Sequence, residues 1–225
     1  MLATDFRVGN FLDGRFQFLG DPHTKINQLL PDLFPTASLV CGIDHSQATT
    51  RAAAVRFPSI APGLAVMDVA RCGFRNHVFD LVISTSTLDH FPTRAGFVTA
   101  LAELARVLRP NGLLIITLDN PLNPLYHPLK WASRLKSSPF PLGYTPAPAT
   151  LRADLAALGL VVEDEDWILH NPRGLSTALF LAIRKVMGGR ADRWIARLLS
   201  AFAVLGKLPT RRLTACFFCV AARKP

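Results

Sequence analysis

The feature that most constrains this chain is a series of seven short apolar runs separated by polar or helix-patterned sequence. They are FQFLG (16–20), SLVCGID (38–44), GLAVMDV (63–69), FDLVIST (79–85), GLLIITLDN (112–120), LVVEDEDWIL (160–169) and LTACFFCVAA (213–222). Runs this short suit strands better than helices, and runs that are apolar at nearly every position suit strands covered on both faces. Helical spacing occupies the intervals at 24–34, 46–57, 93–109 and 149–158, the third placing Phe97, Leu101, Leu104, Ala105 and Leu108 on one face. Strands alternating with helices predict an α/β fold, doubly wound around a mainly parallel seven-stranded sheet. With 225 residues the chain suffices for one such core, and residues 1–225 read as a single domain with insertions.

Two insertions interrupt the alternation. Residues 121–148 are rich in proline and too long for an ordinary connection, which predicts a lid or substrate wall. Residues 171–212 separate the sixth run from the seventh and carry helical patterns at 174–187 and 190–205. In the first pattern Leu175, Leu179, Ile183 and Val186 recur at helical spacing, and in the second Trp194, Leu198 and Phe202 do, with arginines on the other faces. A tight turn, Arg109-Pro110-Asn111-Gly112, is expected to close the helix at 93–109, since proline cannot continue a helix and Asn-Gly tolerates left-handed backbone.

Composition narrows the class. Half the residues are apolar and 18% are charged, which excludes a disordered chain. No uncharged apolar stretch reaches the ~18 residues of a membrane span, and Asp5 and Arg7 interrupt any leader at the start; the expected location is the cytoplasm. The net charge is +9, and many basic residues, from Arg184 and Lys185 to Arg223 and Lys224, lie near the end, interleaved with Leu, Ile, Phe and Trp. That pattern suits contact with an anionic membrane surface, beside a hydrophobic acceptor, and not a nucleic-acid stripe. Cys216-x-x-Cys219 sits in a strand-like run, where positions three apart face opposite ways, so buried thiols are expected and no metal site.

In doubly wound sheets, ligands bind beyond the carboxyl ends of the strands. Asp44 ends the second run, where a carboxylate can accept two hydrogen bonds from a ribose diol, or else cap a helix that Ser46 could cap equally well. Asp68 ends the third run, where it can accept from an exocyclic amine or cap the loop ARCGF.

The succession GIDHS, VMDVARCGFRNHVFDLVISTSTLDHF and ELARVLRPNGLLIITLDN closely resembles the class I S-adenosylmethionine-dependent methyltransferases, notably those of small molecules and quinones. The resemblance covers residues 16–120 and implies a Rossmann-like methyltransferase fold with S-adenosylmethionine as cofactor. It implies cofactor contacts at Gly20, Asp21, Asp44, His45, Asp68, Val69, Ser84 and Thr85, with ribose at Asp44, adenine at Asp68 and Val69, and the methionine side at Ser84 and Thr85. The family carries a three-glycine loop after its first strand, and the stretch Phe18–Thr24 keeps only Gly20 of it. The 24 residues from Gly20 to Asp44 suit a loop, a helix and a strand, so Gly20 is preferred over a second match at 8–14.

Asp89 and His90, just after the fourth run, are the catalytic candidates, a histidine being able to take a proton from an acceptor; the alternative is that they start the next helix. Asn120, Asn123, Tyr126 and His127, from the proline-rich insertion, are the substrate-binding candidates. The function read here is methyl transfer from S-adenosylmethionine to a small or lipid-like acceptor. Its alternatives are a non-catalytic binding or membrane-surface scaffold, and a nucleotide-binding oxidoreductase, against which stands the absence of GxGxxG opening the first helix.

Overall fold

Apolar runs that alternate with helices bury best as one sheet covered on both faces, and a computed structural model shows this arrangement. It describes residues 2–4, 39–58, 60–133, 142–170, 179, 182, 183, 185, 186, 188 and 191–225. Seven strands are present among the described residues: β1 (Leu2–Thr4), β2 (Cys41–Asp44), β3 (Leu64–Val66), β4 (Phe79–Thr85), β5 (Leu108–Asp119), β6 (Val161–Ile168) and β7 (Phe217–Arg223). Their order across the sheet is β3-β2-β1-β4-β5-β7-β6. The first five are parallel, and β7 runs antiparallel to both β5 and β6. Connections leave β1 in one direction toward β2 and β3 and in the other toward β4 and β5, which opens a crevice at the strand ends near β1.

The first strand differs from expectation. Leu2–Thr4 pairs with Cys41–Ile43 on one side and with Val82–Ser84 on the other. The place between β2 and β4, expected for FQFLG at 16–20, is thus taken by Leu2–Thr4, and the spacing argument from Gly20 to Asp44 loses its anchor. Three residues at the start of a sequence are too few to show a period, whereas FQFLG looked like a strand by composition alone. Residues 16–20, Gly20 and Asp21, the second glycine match at 8–14 and the helix expected at 24–34 all lie outside the described residues.

Helix α1 (Gln47–Arg56) begins at Ser46, whose hydroxyl accepts from Thr49 N–H. Helix α2 (Arg94–Val107) is capped by Thr93 and buries Phe97, Ala100, Leu101, Leu104 and Val107 completely. Each large apolar side chain on that stripe contributes about 2 kcal/mol of burial. The Arg109–Gly112 segment is not a free turn. Strand β5 starts at Leu108, directly after α2, and the register against β4 jumps from Phe79↔Leu108 to Leu81↔Leu113, so the extra residues form a bulge. Asn111 takes the left-handed conformation there (φ 62°) and donates its N–H to the Lys224 carbonyl at 2.7 Å.

Of the proline-rich insertion, helix α3 (Tyr126–Ala132) and an extended stretch at 142–147 are described. Helix α4 (Pro148–Ala157) follows, tied to α2 by the Arg94–Asp154 ion pair. The second insertion contributes α5 (Ala191–Ala203), a tight turn at 204–207 and α6 (Arg211–Thr214). The run expected as a strand from 213 therefore starts as helix, because Ala215 N–H returns to Arg211 O before the chain extends. Most of the helix expected at 174–187, Leu175 included, lies outside the described residues. Ile195 of α5 is buried with Ile183, Leu198 and Leu199 in a small cluster of its own, apart from the main core.

Candidate functional site

At the carboxyl ends of β2 and β3, on the crevice side, lies a cavity of about 300 Å³, at the small end of ligand pockets. Its wall brings together residues distant in sequence: Ile43, Asp44 and His45 from the end of β2; Met67, Asp68 and Val69 beyond β3; and Thr87, His90, Phe91 and Pro92 beyond β4. Asp44 is buried and Asp68 exposed. Each also shapes its own loop. Asp44 Oδ1 accepts Ser46 N–H at 2.6 Å, and Asp68 Oδ1 accepts Ala70 N–H at 2.8 Å, capping a short helical turn at 69–71. The capping alternative for Asp68 is thus realised, while Ser46 caps α1. His45, exposed, has Nδ1 3.6 Å from Asp44 Oδ1.

The wall beyond β3 is held from behind by helix α2. Arg106 donates to the carbonyls of Cys72 and Phe74, to Asn76 Oδ1 and to Glu103, and Glu103 in turn accepts Cys72 N–H. The hydrogen bonds from Arg106 hold the Glu103 carboxyl below its ordinary range, so the carboxylate stays charged. Cys72 is buried, and burial pushes its thiol up to about 11.

Beyond β4 the chain makes a strained turn. Ser86 sits at φ 50°, its N–H donating to Thr117 O at 2.8 Å. Asp89 is buried at its base, accepting from the Ser86 hydroxyl at 3.1 Å and from Asp119 N–H at 2.9 Å. Asp89 therefore joins the ends of β4 and β5 and is not among the residues that line the cavity. Its neighbour His90 does line the cavity. Ser84 and Thr85 belong to β4 itself and are not part of the lining; the wall position falls to Thr87 instead. Ser84 is fully buried, in register with Thr4 and Ile116, and its hydroxyl has no hydrogen-bond partner.

The far end of the proline-rich insertion closes on this turn. Gly143 N–H donates to Asp89 O at 2.9 Å, and Tyr144 N–H to Phe91 O at 2.7 Å. A Cβ on Gly143 would lie 2.4 Å from Phe91 O and 2.6 Å from Asp89 O, so only glycine permits this approach. The near end behaves otherwise. Asn120 Nδ2 donates to Arg212 O and Ala215 O, and Asn123 Nδ2 to Thr214 O and Ala215 O. Their Oδ1 atoms accept Leu122 N–H and Leu125 N–H. Both asparagines are buried clamps between two loops, and with Tyr126 they line a second, small pocket separate from the cavity beside Asp44. Tyr126 is buried under Lys130, and His127 is exposed; neither lines the cavity.

Known proteins share the fold. Residues 26–116 match the family described as Methyltransferase domain. A structure described as a SAM-dependent methyltransferase from Archaeoglobus fulgidus superposes with a TM-score of 0.60 at 13% identity, over 99% of this chain and 85% of that one. Residues 26–116 thus resemble a methyltransferase domain in sequence, and the chain shares its fold with a methyltransferase. The same fold occurs in the cyclase SpnF, with a TM-score of 0.56 at 18% identity over 100% of this chain and 73% of that one, and fold alone does not settle a reaction. In sequence, the domain is 41% identical to the mouse (Mus musculus) protein "Probable tRNA methyltransferase 9B" over 51 residues, 23% of this chain and 11% of that protein. The chain thus matches only about a tenth of that relative's length.

Sequence reasoning missed Met67, Phe91 and Pro92 as cavity wall, because apolar residues beside a strand end look like core. It also missed His170, buried at the end of β6 between Thr214 Oγ1 (2.8 Å from Nδ1) and Trp167 O (3.1 Å from Nε2). With a carbonyl facing Nε2, that nitrogen carries the proton and Nδ1 accepts from the threonine hydroxyl. Cys216 and Cys219 are unbridged thiols, and no cluster of metal-binding side chains occurs among the described residues.

Proposed function

We propose that the domain transfers a methyl group from S-adenosylmethionine to a small, apolar acceptor. The observation that carries this reading is the cavity where the carboxylates ending β2 and β3, Asp44 and Asp68, meet an apolar wall of Ile43, Met67, Val69 and Phe91. The donor set fits the cofactor: a buried carboxylate suits a ribose diol, an exposed one beside Met67 and Val69 suits the amine of a flat base, and apolar side chains suit the faces of that base. Asp44 would hold the ribose, and Asp68 with Val69 the adenine. When bound, S-adenosylmethionine supplies a methyl group activated by its sulfonium. The chain then has to align the acceptor and exclude water, which Phe91, Pro92 and the Gly143–Tyr144 strap at the cavity's edge favour. His90 stands where a proton leaving the acceptor's hydroxyl or amine can be taken up.

The scaffold reading has one observation in its favour: both carboxylates already serve their own loops. Calorimetric titration with S-adenosylhomocysteine separates the two. Methyl transfer expects micromolar binding that drops at least ~10-fold in Asp44→Asn, since the amide keeps an acceptor for Ser46 N–H but loses the charge-assisted bond to a ribose hydroxyl. No binding at millimolar ligand by a folded wild-type protein favours the scaffold. Among the described residues no helix is long and apolar enough to cross a membrane.

A further inference from the structure

The sequence between Asn120 and Leu125 is Asn-Pro-Leu repeated twice, and the structure shows what the repeat does. Each asparagine turns its Oδ1 back onto the N–H of its own leucine and sends its amide across to the carbonyls of 212–215. Each proline has no N–H to satisfy. The backbone of the loop is thereby pinned against α6, and Leu122 and Leu125 are left exposed. Turn positions of this kind ordinarily carry polar side chains.

On the other side of the clamp the pattern repeats. Leu213, half exposed, belongs to the α6 stretch that receives the asparagine amides, and Val204 and Leu208 are exposed just before it. Trp131, on α3 a few residues beyond Leu125, is 69% exposed. Lys130, Lys207, Arg211 and Arg212 accompany these side chains. Asp166, 3.5 Å from Arg211, is the acid that faces this group from β6. No Asp or Glu occurs from Asn120 to Pro148 or from Arg193 to Pro225.

We propose that the face formed by the Asn-Pro-Leu loop, α3 and the 204–213 segment docks onto an anionic lipid bilayer. It lies apart from the cofactor cavity and does not depend on methyl transfer. Charge and polarity together select the occupant. Positive charge that outnumbers Asp166 complements an anionic headgroup layer, and leucine, valine and tryptophan side chains enter the boundary between headgroups and acyl chains while lysine stems reach back to the phosphates. A nucleic acid would use the same charges but would leave the exposed leucines and valine in water. The face differs from the amphipathic pattern at 174–205 in that it is assembled from two insertions and held by buried amides.

Flotation of the full-length protein with phosphatidylcholine vesicles, with and without phosphatidylserine, tests this. The expected result is binding to the phosphatidylserine vesicles alone, weakened by salt. Trp131→Ala should lower that affinity by roughly 10-fold, and Lys207→Glu, which changes the charge by two units, by roughly 30-fold. Both side chains are exposed, so thermal unfolding should stay as in the wild type. Asp44→Asn should leave flotation unchanged, which separates this surface from the cofactor site. Failure of the folded protein to float, equal binding to neutral vesicles, or variants that bind as tightly as wild type would each overturn the proposal. So would retention on bulk tRNA that competes with vesicles and is indifferent to Trp131→Ala.

Discussion

Gly143 meets the backbone of the cavity turn at a distance no other residue could reach. Gly143→Ala should therefore displace the strap from Asp89 and Phe91 and lower stability by ~1–3 kcal/mol, as overpacking does; urea unfolding measures the loss. His170 gives a pH effect at the same scale. Burial lowers its pKa below the ordinary 6.5, with Trp167 O and Asp166 opposing and Arg211 assisting. Between the lowered value and 6.5 the unfolded chain holds a proton that the folded one lacks, so stability falls on acidification through that window and levels off above 6.5. His170→Gln, which keeps donor and acceptor without titrating, should flatten that part of the urea-midpoint profile against pH; an unchanged slope would remove His170 as its source. The residues whose place on the cavity wall could be read from the sequence were those that follow a strand end: Asp44, His45, Asp68, Val69 and His90. Asn120, Asn123 and Asp89 occupy similar places, but the carbonyls and N–H groups they serve belong to segments up to 95 residues away, and no local pattern records such partners.

At the scale of elements, β4 was readable to the residue, since FDLVIST is apolar between clear breaks, and α2 to within two residues at each end. The central strand was not, because Leu2–Thr4 depends on pairing with two neighbours and not on its own three side chains. The Arg-Pro-Asn-Gly segment was read correctly for its left-handed backbone and wrongly for its context: it bulges out of β5 and pairs with Lys224 instead of ending a helix. The bulge makes a definite demand at Asn111. Asn111→Gly should keep or slightly raise the melting temperature, and Asn111→Ala should cost ~1 kcal/mol, since a Cβ disfavours the left-handed region. Equal melting temperatures would mean that the bulge relaxes when substituted.

Across the whole molecule, the sheet is laid down out of order. Strand β7 is the last in the chain yet lies between β5 and β6 and supplies every pairing that β6 has. During synthesis β6 is complete some fifty residues before β7 exists, and it runs in the same direction as β5, whose edge stands open meanwhile. A parallel β5–β6 pairing would be a trap that has to come apart before the correct strand could enter. Glu163, Asp164, Glu165 and Asp166 lie along β6, and consecutive charges of one sign are what keep a strand from settling early against an apolar neighbour. In the finished fold Glu163 is answered by Arg223 of β7 itself, and Glu165 by Arg152 of α4. An acidic strand of this kind resists early pairing with β5, and the strand it does pair with brings one of the charges that lets it dock.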